Sequence, residues 1–224
     1  MSVGGAAELL GGVTTPLAGI RKSAARHMVR AWEAPAFSLS VSVDMSALVG
    51  LKDEGITVTD RLVAAVGRTL VEHPDVNAWF SDEGVSRFSR AHVGIAVATD
   101  AGLVVPVVHD ADSRDLAQIA EARRELVAKA RAKQLSRDDI SGGTFTISNL
   151  GMMGIDRFTA IVNPPQAAIL AVGATYEQFV RWGDGGTWRP RAEFTLSCDH
   201  RVLDGATAAA FLSALRSRVE HGEG

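Results

Sequence analysis

Phe37, Leu39, Val41, Val43 and Met45 alternate with Ser38, Ser40, Ser42 and Asp44. Strand side chains point to opposite faces in turn, so this stretch predicts a strand with one polar face. Just before it, Leu17, Ile20, Ala24, Met28 and Ala31 recur at helical spacing, and Pro35 closes the run. Threonine is a good N-cap and proline fits the first helical position, so Thr15-Pro16 is the expected helix start. A second helix is predicted from Thr59 to Glu72, stopped before Pro74. Val93 to Ala98 and Leu103 to Val108 are apolar runs joined by Thr99-Asp100-Ala101-Gly102, which reads as a hairpin of mostly buried strands. Asp115 to Gln134 is amphipathic, with Leu116, Ile119, Leu126, Val127 and Ala130 inward and Glu125 and Lys129 set for an i,i+4 pair. Ser136 followed by Asp139 resembles a capping box.

Thr144 to Ser148 is a short strand that runs into a glycine-containing loop, and Ala167 to Val172 is a buried strand. Tyr176 to Trp182 and Trp188 to Cys198 flank the turn Gly183-Asp184-Gly185-Gly186. Phe211, Leu212, Leu215 and Val219 share one face of a C-terminal helix that starts near Asp204. Strands and helices mix without regular βαβ alternation, so the fold class is α+β, with helices layered on a mixed sheet. The organisation expected is a flexible, Gly- and Ala-rich segment at 1–14 and one domain over 15–224.

Composition narrows the function classes. With 224 residues, 46% hydrophobic and a net charge of −3, the chain can bury a real core and does not look disordered. One cysteine excludes a disulfide framework and a paired-cysteine zinc site. A pI near 6.1 argues against a phosphate-neutralising nucleic-acid binder. No apolar run reaches the roughly 18 residues of a membrane span, and the first dozen residues lack the basic start of a signal peptide. A cytoplasmic location is the expectation.

The chain has no dinucleotide-binding G-x-G-x-x-G after a strand, no G-x-x-x-x-G-K-[ST] and no G-x-S-x-G. Its six histidines show no metal-ligand spacing, so no metal is expected. Two segments stand out. In Ser197-Cys198-Asp199-His200-Arg201-Val202-Leu203-Asp204-Gly205, a histidine sits between carboxylates at a strand-to-helix junction. A carboxylate orients an imidazole and favours the proton it takes up, which suits a general base. A capped helix with solvated charges would carry the same residues. In Gly142-Gly143-Thr144-Phe145-Thr146-Ile147-Ser148-Asn149-Leu150-Gly151, a strand delivers Ser148 into a turn, where a hydroxyl could donate to an oxyanion. Ser, Asn and Gly are also what an ordinary turn contains.

Taken together, the motifs resemble the catalytic domain of the dihydrolipoamide acyltransferases, the core components of 2-oxo acid dehydrogenase complexes, similar in fold to chloramphenicol acetyltransferase. The resemblance runs from about Pro16 to Val219. Its signatures are Leu17-Ala18-Gly19-Ile20-Arg21-Lys22, Gly94-Ile95-Ala96-Val97, Gly102-Leu103-Val104-Val105-Pro106-Val107, the Ser148 segment, Asn163-Pro164-Pro165-Gln166-Ala167-Ala168-Ile169-Leu170 and Asp199-His200-Arg201-Val202-Leu203-Asp204-Gly205.

The resemblance implies a chloramphenicol acetyltransferase-like sheet with packed helices. It implies that His200 is the general base and Ser148 the oxyanion donor, with neither a covalent enzyme intermediate nor a metal. Asp204, grouped with them as catalytic, and Asp199 match the family's two aspartates and would hold the loop, through Arg21; Asn149 is a supporting residue. The family builds trimers in which His comes from one subunit and Ser from its neighbour, so an obligate homotrimer with a small-molecule acceptor is expected, without nucleic acid or membrane partners. Acetyl-CoA is the implied co-substrate. Cys198 and His200 would share a strand face about 6.6 Å apart, which is long for a proton transfer, so Cys198 is read as a small buried residue.

Three departures shape the reading. The sequence has no lipoyl domain, subunit-binding domain or Ala/Pro-rich linker ahead of the catalytic region. Leu51 to Thr57 is shorter than the family's usual connection on the acceptor side. The end, Glu220-His221-Gly222-Glu223-Gly224, lacks the apolar segment that joins trimers. The expectation drawn from these is a stand-alone acyltransferase that acetylates a small-molecule hydroxyl in natural-product biosynthesis of the tetronate or polyketide type. The alternatives are the catalytic core of a dihydrolipoamide acetyltransferase and an inactive trimeric scaffold.

Overall fold

The computed structural model describes residues 10–51 and 55–223. Helix α1 (Gly19–Ala31) leads into strand β1 (Ala36–Asp44), a short helix α2 (Ser46–Val49) and helix α3 (Val58–Glu72). Strands β2 (Ala78–Ser81) and β3 (Gly84–Arg87) form a separate hairpin. Then come β4 (Val93–Ile95), β5 (Val97–Thr99), β6 (Gly102–Val104), β7 (Val107–Val108) and helix α4 (Leu116–Ala132). Strands β8 (Phe145–Asn149), β9 (Ala168–Val172), β10 (Tyr176–Trp182) and β11 (Gly185–Asp199) precede the last helix, α5 (Gly205–Glu220).

The main sheet has the order β1-β11-β9-β8-β4-β7, with β10 paired to the first half of β11. Strands β4, β8 and β9 run parallel to one another and the other pairings are antiparallel, so the sheet is mixed, as expected for α+β. The alternation read in β1 continues across the sheet. Val43 in β1, Phe194, Leu196 and Cys198 in β11, Leu170 in β9 and Phe145 and Ile147 in β8 are all buried. They form one core with Leu62, Val66 and Leu70 of α3 and Phe211, Leu215 and Val219 of α5. The opposite face carries hydroxyls. Ser38 bonds to Ser197 at 3.2 Å and Ser40 to Thr195 at 2.9 Å, and Thr146 and Ser148 of β8 share that face by register. Helices α3 and α5 therefore cover one side of the sheet, and Ser148 opens on the other, where α1 lies.

Helix α3 starts within one residue of its expected position, at the N-cap Thr57. Asp60 closes a capping box there, accepting from the Thr57 backbone N–H and hydroxyl, both at 2.7 Å. The same buried carboxylate takes Arg123 of α4 in a fork, at 2.6 and 3.2 Å. Asp60→Ala would strand the largely buried guanidinium as well as uncap the helix. We expect a loss of about 3 kcal/mol in urea denaturation, and a loss below about 1 kcal/mol would contradict this.

Two expectations change. Helix α1 begins at Gly19, not at Thr15-Pro16, because Gly19 takes a left-handed φ of +53° and turns the chain just where the helix starts. Its apolar stripe meets no core: only Ala31 is buried, while Leu17, Ile20 and Met28 are exposed. The expected hairpin forms, but its burial is split. Its base, β4 and β7, is buried in the main sheet, whereas β5 and β6 project beyond the sheet and leave Leu103 exposed. The Glu125–Lys129 pair forms at 2.8 Å, and Ser136 and Asp139 bond reciprocally where a single 3-10 turn, Asp138–Ile140, begins. Of the expected flexible segment, residues 1–9 lie outside the described residues, as do 52–54 of the shortened connection. No helix among the described residues is long and apolar enough to cross a membrane.

Candidate active site

His200 follows the last residue of β11, and its place is set by a knot of hydrogen bonds around Asp199. The Asp199 carbonyl accepts from the backbone N–H groups of Val202 and Leu203, both at 3.0 Å. Its buried carboxylate accepts from the Arg201 backbone at 3.0 Å and from the Arg201 guanidinium at 2.6 and 2.9 Å. The guanidinium in turn lies 4.0 Å over the Phe80 ring. The His200 N–H donates to the Pro35 carbonyl at 2.9 Å, and its ring rests on Phe37 with centroids 4.7 Å apart. The imidazole is left exposed.

Asp204, four residues on, is the N-cap of α5 and accepts from the Thr207 N–H at 2.7 Å. That backbone bond comes first in holding its carboxyl below the usual carboxylate range, and the charge of nearby His200 adds a smaller push the same way. Asp204 therefore sits close to His200 electrostatically while its described side-chain bond goes to the helix. Arg21 makes no described ion pair with Asp199 or Asp204 within the protomer. It lies on the exposed side of α1, beside Gly102 at the start of β6, and within the protomer Asp199 pairs with Arg201.

Ser148 is half-buried near the end of β8, and its hydroxyl has no described partner. Asn149 shapes the turn that follows, its side-chain oxygen accepting from the Gly151 N–H at 2.9 Å. That turn packs just past the end of β9 without room for a side chain: a Cβ on Gly151 would lie 2.7 Å from the Gly173 carbonyl oxygen. Ser148 opens into a cleft of about 1080 Å³, walled by apolar residues of α1, β6 and β9, including Ile20, Val104 and Ile169. His200 does not line it.

The two residues are far apart in one protomer. Ser148 is in register with Ala171 and, through it, with Thr195. His200 lies five residues further along and two strands across, roughly 17 Å by 10 Å at ordinary strand spacings. No single carbonyl carbon can be reached by both.

Cys198 faces the helix layer and is fully buried. Burial, and then the charge of Asp199, push its thiol up to about 12, so no useful thiolate exists near neutral pH. We expect the folded protein to resist thiol reagents at pH 8 until denaturant is added, and Cys198→Ala to keep its activity within about twofold. Rapid labelling of the native protein would contradict the first point. Among the described residues no group of three or more His, Cys, Asp or Glu could hold a metal ion.

Sequence reasoning missed a polar chain in the same cleft. His27 bonds to Asn163 at 2.8 Å, Asn163 to Thr146 at 3.4 Å, Thr146 to Gln166 at 2.6 Å and Gln166 to the Gly143 carbonyl at 3.0 Å. The signal was Gln166, a long polar residue immediately before the apolar strand β9, which calls for a buried partner.

The family model described as 2-oxoacid dehydrogenases acyltransferase (catalytic domain) matches residues 11–223. The chain belongs to that family. Among curated relatives, the dihydrolipoyllysine-residue acetyltransferase component of the pyruvate dehydrogenase complex from Zymomonas mobilis is 38% identical over 215 residues, which is 91% of this chain and 49% of that protein. The chain thus spans about half the length of the curated relatives it matches. Among solved structures, a probable dihydrolipoamide acetyltransferase from Listeria monocytogenes matches with a TM-score of 0.90 and 34% identity, covering 95% of this chain and 96% of that one. The Azotobacter vinelandii dihydrolipoamide acetyltransferase matches at 0.87 and 35%, covering 93% and 92%; it was studied for the role of a serine, a histidine and an asparagine in its catalytic mechanism. A structure of the cubic core of the pyruvate dehydrogenase multienzyme complex matches equally well, at 0.87 and 35% with the same coverage. Chloramphenicol acetyltransferase, at 0.59 and 16%, shares the fold.

These relatives overturn the expectation of an enzyme that acetylates a small-molecule hydroxyl in natural-product biosynthesis. That expectation rested on what the sequence lacks around the catalytic region and on a shortened connection, not on any group that would meet the acceptor. The family's acetyltransferase components instead match over nine-tenths of the chain.

Proposed function

We propose that this chain is the acetyl-transferring core of a dihydrolipoamide acetyltransferase of the pyruvate dehydrogenase type. One observation carries the reading. In the Azotobacter enzyme the serine and histidine studied for catalysis are 52 residues apart, and the asparagine follows the histidine by four. Here Ser148 and His200 have the same separation, each at the end of its own strand, and Asp204 follows His200 by four. Asp204 thus stands in place of an asparagine, and either residue serves as an N-cap.

The chemistry is a thiol-to-thiol acetyl transfer. His200 takes the proton from the acceptor thiol, and the sulfur attacks the thioester carbonyl carbon. The carbonyl oxygen becomes an oxyanion, to which the Ser148 hydroxyl donates. Collapse breaks the original C–S bond, and His200 returns its proton to the departing thiolate. Acetyl-CoA and a dihydrolipoyl thiol are the two partners of this exchange.

The separation of Ser148 from His200 within one protomer supports a site completed by a second copy, with Ser148 from one subunit and His200 from the next. A closed homotrimer is the assembly that fits the family fold, with a mass three times the 23.7 kDa of the chain. The test is to supply acetyl-CoA with either dihydrolipoamide or a hydroxyl acceptor and follow the acetylated product by mass spectrometry. S-acetyldihydrolipoamide should form, with little or no O-acetyl product. Absence of any S-acetyl product would contradict the reading, and inactivity with every acceptor would favour an inactive scaffold.

A further inference from the structure

The polar chain beside Ser148 runs in one direction. Gln166 uses its amide N–H on the Gly143 carbonyl, which leaves its oxygen to accept from the Thr146 hydroxyl. With its proton committed to Gln166, the Thr146 oxygen accepts from the Asn163 amide, so the Asn163 oxygen faces His27. That oxygen can only accept. His27 must therefore donate from Nε2, and in the neutral ring Nδ1 is left as an acceptor with no described partner.

The chain is well anchored. Thr146 and Gln166 are buried, and the Trp79 indole N–H adds a second bond to the Gly143 carbonyl at 3.0 Å. His27, Asn163, Thr146 and Gln166 all line the cleft that Ser148 opens into, and Thr146 lies two residues before Ser148 on the same strand face. The other walls are mostly apolar. A few fixed polar groups in an apolar cleft set the orientation of what enters it.

We propose that His27 is a specificity-determining residue of this site, accepting through Nδ1 the amide N–H of a thiol-bearing arm in the cleft while the Asn163–Thr146–Gln166 chain fixes its ring. This rests on the acetyl-transfer reading. Two arms carry that chemistry, the pantetheine of CoA and the amide of the lipoyl group, and one lone pair can serve only one of them. A thiol attached to a plain alkyl chain would gain nothing from the contact.

The experiment removes the interaction from both sides. Each arm is presented as its amide and as the matching ester, which lacks the N–H: dihydrolipoamide against methyl dihydrolipoate, and S-acetylpantetheine against its ester analogue. In the wild type, the ester should raise KM about tenfold on one arm with kcat nearly unchanged, as expected for one lost hydrogen bond. In His27→Gln, which puts an amide near Nε2 but leaves no acceptor at Nδ1, the amide and ester of that arm should have equal KM. His27→Asn, which restores an oxygen near Nδ1, should recover part of the discrimination. The other arm should show no difference in any variant.

An equal ester penalty in wild type and His27→Gln, no penalty on either arm, or loss of discrimination on both arms would each overturn the inference. If His27→Gln fails to fold, the wild-type comparison and His27→Asn still decide it. A wild type that turns over neither amide substrate would fail the functional reading itself, and the inference with it.

Discussion

His200→Ala is expected to lower kcat for acetyl transfer by about 10³-fold, within the range for loss of a general base. The ring is exposed, and its described contact is with Phe37. The turn that carries it is held by the backbone bond to Pro35 and by the Asp199–Arg201 pair, both of which the substitution leaves in place. Folding should therefore survive, and thermal denaturation should show a shift of no more than a few degrees, about 1 kcal/mol for a chain of this size. A variant that keeps more than about a tenth of wild-type kcat would remove His200 from the role of base.

Ser148→Ala is expected to lower kcat by about 10²-fold or more with little change in KM. The hydroxyl makes no described bond in the resting protein, so its removal orphans nothing and leaves β8 intact. In the proposed mechanism the hydroxyl meets the oxygen only once it is an oxyanion, and an interaction present only in the transition state acts on kcat. A rise in KM with kcat preserved would instead make Ser148 an ordinary substrate contact. Glycine cannot be used as a milder test, since it would loosen the strand that aims the site.

Much of this was legible in the chain. The alternation from Phe37 to Met45 located β1 and its polar face, because a strand half-covered by helices must alternate. Ser148 and His200 could be picked out because each ends an apolar strand at a polar turn. Their separation could not be seen. It depends on the register that pairs Ser148 with Ala171 and Ala171 with Thr195, and pairing register is a tertiary property. The start of α1 differs from the sequence pattern because a left-handed glycine outweighs a good capping pair, and its apolar stripe lines a cleft instead of a core. The Asp199–Arg201 fork hid within two residues of sequence, where charges usually face solvent. The acceptor is not legible in the chain, because neighbouring domains and connection length do not specify which sulfur or oxygen meets the carbonyl carbon.

In the proposed mechanism Ser148 and His200 act together only across two subunits. This can be tested by mixing the two inactive variants, His200→Ala and Ser148→Ala, after unfolding and refolding them together in equal amounts. In a ring of any size, each interface needs a histidine-bearing chain on one side and a serine-bearing chain on the other, so random mixing should restore about a quarter of wild-type activity. Activity no higher than that of the separate variants, in mixed oligomers verified by mass, would place both residues in the site of a single protomer and contradict the claim.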